Sequence, residues 1–146
     1  MQPYIGASMN YTAQPNASMF KNHIHDTYEI FCFVSGSAKY FIEGNIYDLQ
    51  PDDILLIKRS ETHALMIDKE VPYTRYVVNF NTPALLNADA EQIISRINQK
   101  PLGKFNKING SSEQKRFWLY CLKKIVSEKD IKQQKVYLSA LIKELA

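Results

Sequence analysis

The sequence predicts a mainly β barrel or sandwich followed by C-terminal helices. Between Tyr28 and Phe80 it falls into short runs rich in Ile, Val, Phe, Tyr and Thr, separated at regular intervals by turn formers. Beyond Pro83 the apolar positions take the i, i+3, i+4 spacing of amphipathic helices. At 146 residues, 45% hydrophobic and 23% charged, the chain has material for one barrel and a few helices around a sizeable core.

Each element follows from local chemistry. Residues 4 to 20 hold scattered apolar positions and are expected to add one or two edge strands. Tyr28 to Val34 reads as a strand, Ser35-Gly36-Ser37 as a turn, Lys39 to Glu43 as a strand, Gly44-Asn45 as a tight hairpin turn and Ile46 to Leu49 as its partner strand. Pro51-Asp52-Asp53 turns the chain into Ile54 to Lys58, and Ser60-Glu61-Thr62 turns it again into His63 to Ile67. A polar connection through Lys69-Glu70-Val71-Pro72 leads to a last strand, Thr74 to Phe80.

In the helical part, Asp89 is placed to cap a helix carrying Ile93, Ile94 and Ile97, which Lys100-Pro101-Leu102-Gly103 ends. Ser111-Ser112 with Glu113 opens a second helix bearing Trp118, Cys121, Leu122, Ile125 and Val126. Asp130 precedes a third with Leu138, Leu141, Ile142 and Leu145, and the last two helices are expected to form an antiparallel hairpin.

Composition excludes several classes of function. The N-terminus has no basic segment followed by an apolar one, and the longest apolar stretches, Ile30 to Val34 and Ile54 to Ile57, are too short to cross a bilayer, so a cytoplasmic location without membrane contact is expected. Cys32 and Cys121 form no metal or disulfide spacing and are expected to be reduced core thiols. The net charge of +3 is uneven: residues 1 to 100 carry 8 Lys/Arg against 11 Asp/Glu, and residues 101 to 146 carry 10 against 4. Because the tail lysines interleave with apolar residues at helical spacing, they read as a solvated helix face rather than a nucleic-acid surface.

The strongest local signal is His23-x-His25-x3-Glu29. Positions 23, 25 and 29 share parity, so a strand aims all three side chains at one face, and His63 starts a strand two hairpins later. Three readings stand: His23, His25, Glu29 and His63 hold a divalent transition metal, line a ligand pocket, or satisfy one another in a closed core. Alternation places Phe31 and Phe33 on the face of Glu29, as pocket wall or as core, while Tyr40 and Arg75 add polar groups from neighbouring strands. Asp52 and Asp53 follow Pro51 in a turn, and no residue is assigned a catalytic role.

His23-x-His25-x3-Glu29-x6-Gly36 resembles the first cupin motif, and Gly44-x6-Pro51-x-Asp53 followed by His63 resembles the second. The likeness spans roughly residues 17 to 67. It departs near Ala17, which replaces a glycine, and at Pro51-Asp52-Asp53, where the usual middle residue is glycine. It implies a double-stranded β-helix barrel, jelly-roll-like, followed by the helical hairpin.

Within the cupins, His25-Asp26-Thr27-Tyr28-Glu29-Ile30, Gly36, and Tyr47-Asp48-Leu49 leading to Asp53-Ile54-Leu55-Leu56-Ile57 resemble the sensing domains of AraC-type transcriptional regulators. That resemblance implies residues 1–82 as an effector-binding barrel with an N-terminal arm over about residues 1 to 20, and residues 83–146 as a helical linker and dimerisation segment. DNA is then read only by a C-terminal helix-turn-helix domain absent from this chain. The expected partners are a small-molecule effector, a sugar among the candidates, and a second copy of the chain. That copy is expected to meet Trp118, Leu122, Ile125, Leu138, Leu141 and Leu145, whose apolar stripes exceed what one small barrel covers. The effector site is expected at His23, His25, Glu29, Phe31, Phe33, Tyr40, His63 and Arg75. The alternative is a stand-alone metal-dependent cupin enzyme, an isomerase or dioxygenase.

Overall fold

The structure is a computed structural model describing residues 1–16, 23–68, 70–86 and 88–146. The departure near Ala17, residues 17–20 of the expected arm and Lys69 of the expected connection lie outside that set.

Two antiparallel sheets pack face to face. The larger has the order β1 (Ile5–Thr12), β7 (Tyr73–Phe80), β2 (Tyr28–Ser35), β5 (Ile54–Ile57) and β8 (Lys107–Ile108). The smaller runs β4 (Asn45–Asp48), β3 (Ala38–Ile42) and β6 (His63–Ile67). The barrel is followed by α1 (Ala90–Gln99), α2 (Ser112–Ser127) and α3 (Ile131–Leu145). This is the mainly β fold with C-terminal helices that the sequence predicts.

The register explains why Ile30 to Val34 of β2 and the whole of β5 read as continuous apolar runs instead of alternating ones. Both are covered on two faces. Phe31 and Phe33 point into the barrel with Tyr40, Ile42, Leu55, Ile57 and Tyr73. Tyr28, Ile30 and Cys32 point out, beneath Ile93, Ile97, Trp118, Leu122 and Leu138 of the helices. Cys32 and Cys121 are free, buried thiols, and burial raises both pKa values, to about 12 and about 11.

The helix signals are realised with small shifts. Ser111 caps α2 through a capping box whose partner is Gln114, and Asp130 caps α3 by accepting from the Lys132 amide. Asp89 sits at the α1 N-cap without a side-chain cap bond. Trp118 Nε1 donates to Glu144 Oε1 at 3.0 Å and Gln134 Nε2 to the Ile125 carbonyl at 2.9 Å, so α2 and α3 run antiparallel.

The structure adds detail to the expected elements and departs from them in places. The β3–β4 loop is Glu43-Gly44, with φ of 49° and 80°, while Asn45 opens β4; two left-handed residues match the twist of a two-residue hairpin. The edge strand expected within residues 4 to 20 is β1, which pairs along its whole length with β7, from Ile5–Phe80 to Thr12–Tyr73. The strand β8 was not expected, being too short to leave a period in the sequence.

A further departure concerns the subunit seam. Trp118, Leu122, Ile125, Leu138, Leu141 and Leu145 are at most 2% exposed and lie in one cluster with Ile30, Val78 and Phe80, so this chain's own barrel covers them. The outward stripe of the hairpin is instead Phe117, Tyr120 and Val136, 39%, 49% and 48% exposed, with Tyr120 edge-on to Tyr137.

Candidate functional site

The segment before β2 and the start of β6 bring the histidines together at one end of the barrel, beside Glu29 of β2. His23 precedes β2 and forms an isolated bridge with His63, each amide donating to the other's carbonyl at 2.8 and 2.9 Å. His25 follows two residues later, and Glu29 enters from β2, opposite Ile57 and Asn79. The ring centroids of His23 lie 4.6 Å from His25 and 4.2 Å from His63, and those of His25 and His63 are 5.1 Å apart. One nitrogen from each ring falls within 4.8 Å of the other two. Glu29 Oε1 is 3.4 Å from His25 Nε2 and 3.9 Å from His63 Nε2.

Hydrogen bonds orient the cluster. His63 Nδ1 lies 2.8 Å from the Glu61 carbonyl, which can only accept, so Nδ1 carries the proton and Nε2 presents a lone pair. That Nε2 is buried and makes no hydrogen bond among the described residues. Tyr40 donates to Glu29 Oε2 at 3.3 Å and stands 4.9 Å, edge-on, from Phe31.

Burial dominates the electrostatics. It raises the Glu29 pKa to about 7, partly offset by nearby His23 and the Tyr40 bond. It lowers the His63 pKa to about 4, against the bond to the Glu61 carbonyl, which raises it, and with His23 and His25, which lower it. His25 is lowered by burial and by His23. The Tyr40 hydroxyl is raised well above its usual value by burial and by Glu29.

The eight expected effector residues divide along the barrel. His23, His25, Glu29, His63, Tyr40 and Phe31 gather at the histidine end. Phe33 and Arg75 pair with each other four residues further along β2, roughly 13 Å away at strand rise. There Phe33 stacks on Tyr73 at 6.1 Å, and Arg75 lies 4.5 Å over the Tyr73 ring and donates to Thr12 Oγ1 at 2.7 Å. Phe31, Phe33 and Tyr40 are buried in the barrel core.

A cleft of about 620 Å³ adjoins the histidine end, lined by Ile24, His25, Asp26, Lys58, Arg59 and Leu102 among others. Arg59 pairs with Asp26 at 2.6 Å, and Lys58 Nζ donates to the carbonyls of Asn98, at 3.2 Å, and Lys100 at the C-terminal end of α1. Sequence reasoning missed Lys58, Arg59 and the buried acid Glu61, because charged residues in a turn read as solvated.

The donor set fits a divalent transition ion: three imidazoles, of which His63 has its other ring nitrogen fixed by a carbonyl, with the Glu29 carboxylate beside His25 and His63. Among the described residues no helix is long and apolar enough to cross a membrane.

Residues 7–106 match the AraC-like ligand binding domain family. No curated protein matches the sequence. Among solved structures, ToxT from Vibrio cholerae is similar at 14% identity with a TM-score of 0.55, over 97% of this chain and 55% of that one, so this chain spans little more than half of ToxT. The likeness runs through barrel and helices alike. A cupin protein from Bacteroides fragilis is similar at 21% identity with a TM-score of 0.48, over 57% of this chain and 70% of that one. The DMSP lyase DddQ from Ruegeria pomeroyi is similar at 23% identity with a TM-score of 0.43, over 51% of this chain and 37% of that one.

Proposed function

The chain belongs to the AraC-like ligand binding domain family, and from that membership we propose that it is the effector-sensing and dimerising part of a transcriptional regulator, with its sensing site at the histidine end of the barrel. The observation that carries the placement is Glu29: a carboxyl 4% exposed, held by Tyr40, facing His25 and His63, and close to a cleft that opens beside them. A buried acid beside a cleft lined by His25, Asp26, Lys58, Arg59 and Asn98 suits a small hydroxylated molecule, a sugar among the candidates. Binding there biases how the barrel packs on its helices, and so how two DNA-reading domains joined to a dimer are held apart. The outward stripe Phe117, Tyr120 and Val136 is the surface for the second copy.

The amide spectrum of the isotopically labelled chain, recorded against sugars and small aromatic acids, tests the site. The reading requires a ligand whose shifts concentrate at Glu29, Tyr40 and His63. Shifts confined to the Phe33–Arg75 end would move the site to the other mouth of the barrel.

A second reading is favoured by the buried Nε2 of His63, without a hydrogen bond among the described residues, and by the one nitrogen from each of the three rings that lie within 4.8 Å of one another. On it His23, His25, Glu29 and His63 hold a divalent transition ion. Such an ion would supply a Lewis-acidic position for an oxygen of the effector, or of a substrate if the chain is an enzyme. The chain's own part is to keep His63 neutral, orient its ring through the Glu61 carbonyl and exclude water around Glu29. Zinc titration followed by metal analysis separates the readings, since an organic-only site retains no stoichiometric ion after gel filtration.

A further inference from the structure

Glu61 sits in the loop between β5 and β6 and is 1% exposed, and its carboxyl group plays no part in either reading above. Its carboxylate is fully engaged. Oε1 accepts from the Lys58 amide at 2.8 Å and from Asn106 Nδ2 at 3.0 Å, while Oε2 accepts from the Gly103 amide at 2.7 Å. Its carbonyl, on the same residue, takes the Nδ1 proton of His63. One residue therefore grips the histidine ring with its backbone and the segment between α1 and β8 with its side chain.

That segment is tightly seated. Gly103 has φ +74°, and a Cβ there would come within 2.5 Å of Asn45 Nδ2 and 2.6 Å of the Ile42 carbonyl. Tyr47 donates to the Gly103 carbonyl at 2.7 Å. Asn106 exchanges bonds with Leu56 of β5, its Nδ2 donating to the Leu56 carbonyl at 3.0 Å and its carbonyl accepting from the Leu56 amide at 2.8 Å. The chain then runs through β8, paired with Ile54 and Leu55, to Gly110, which abuts the Trp118 ring at the start of α2. A buried, fully bonded carboxylate moves only with its donors, because an unpartnered charge in that position is costly.

We propose that Glu61 is the positioning residue of the histidine site: it fixes the ring of His63 and ties it to the Gly103–Asn106 segment, so that a change at His63 reaches β8 and α2. The functional sense of this link rests on the reading of the histidine cluster as the sensing site, while its existence is measurable without any ligand.

The experiment is a double-mutant cycle read by amide hydrogen exchange on the full chain. His63→Ala, which frees the Glu61 carbonyl, is expected to speed exchange at Gly103 and Lys107 about tenfold. In a Glu61→Gln background, where one oxygen and its bond to Gly103 or to Lys58 and Asn106 are lost, His63→Ala is expected to add nothing. Tyr47→Phe, which removes the bonds of the Tyr47 hydroxyl to Gly103 and Asn106 and leaves the three bonds of the Glu61 carboxylate, must leave the His63→Ala response in place. If Glu61→Gln does not fold, Glu61→Asp, which keeps the charge and shortens the reach, takes its place in the cycle. Additive effects of His63 and Glu61 would overturn the proposal. Zinc chloride supplies the second arm: it should slow exchange at Gly103 in the wild-type chain and not in Glu61→Gln. A chain that takes up no zinc but shows the non-additive cycle retains the link and loses the metal reading.

Discussion

The Glu29 carboxyl and the His63 imidazole face each other inside the barrel at 3.9 Å, 4% and 1% exposed. Burial moves them in opposite directions, the acid up to about 7 and the base down to about 4. Between those values both are neutral, so the pair is a poised polar contact rather than an ion pair.

A pH dependence follows from the signs. From pH 4.5 to 7 the unfolded Glu29 loses its proton and the folded one keeps it, so stability falls as pH rises through that window. From pH 6.5 down to 4 the unfolded His63 gains a proton and the folded one does not, so stability falls as pH drops. The two slopes oppose each other where they overlap. Glu29→Gln removes the first and should make the chain more stable than wild type at pH 8 by about 1–3 kcal/mol, with no gain at pH 4.5. Urea unfolding at both pH values checks this, and a gain independent of pH would show that ionisation of Glu29 is not the cause.

Metal uptake should follow the same carboxyl. On the reading in which Glu29 is a ligand it must be ionised to bind, so zinc affinity is expected to rise from pH 6 to pH 8, and His63→Ala to weaken it at least about tenfold. Competition with a chromophoric chelator measures both, and a flat pH profile would remove Glu29 from the ligand set.

The hairpin carries a contrast between its two faces. Phe117→Asp with Val136→Asp should yield a folded monomer in sedimentation velocity, because both positions face outward. Leu138→Asp should unfold the chain, since a charge placed at a position 0% exposed costs about 3 kcal/mol or more. A Leu138→Asp chain that stays folded and becomes monomeric would return the seam to the inner stripe.

Asp52 takes φ +72° in the turn where cupins usually place glycine. Asp52→Gly should raise stability by up to about 1 kcal/mol, the left-handed strain removed exceeding the entropy glycine adds to the unfolded chain. Thermal unfolding reads the difference, and a loss of stability would mean that the Asp52 side chain contributes more than its backbone costs.

Much of this architecture is legible in the residues. The β2 to β7 runs are marked by their turns, and α2 and α3 by Ser111 and Asp130, because period and capping are local properties. The histidine cluster is legible as a motif, yet its closure depends on the His23–His63 bridge, a pairing between residues 40 apart that no local pattern encodes. Apolar stripes report that a face is covered, not by what: Leu138 and Trp118 look the same whether a barrel or a second subunit lies against them. Glu61 and Asn106 are invisible for the opposite reason, since polar residues in loops read as solvated until the partner segment is placed.

The most direct measurement is a calorimetric titration of the wild-type chain and of Glu29→Gln with the effector that spectral screening identifies. Sensing at the histidine end predicts at least about tenfold weaker binding to Glu29→Gln, from loss of a buried carboxyl that the ligand engages. Equal affinities for the two chains would contradict that placement.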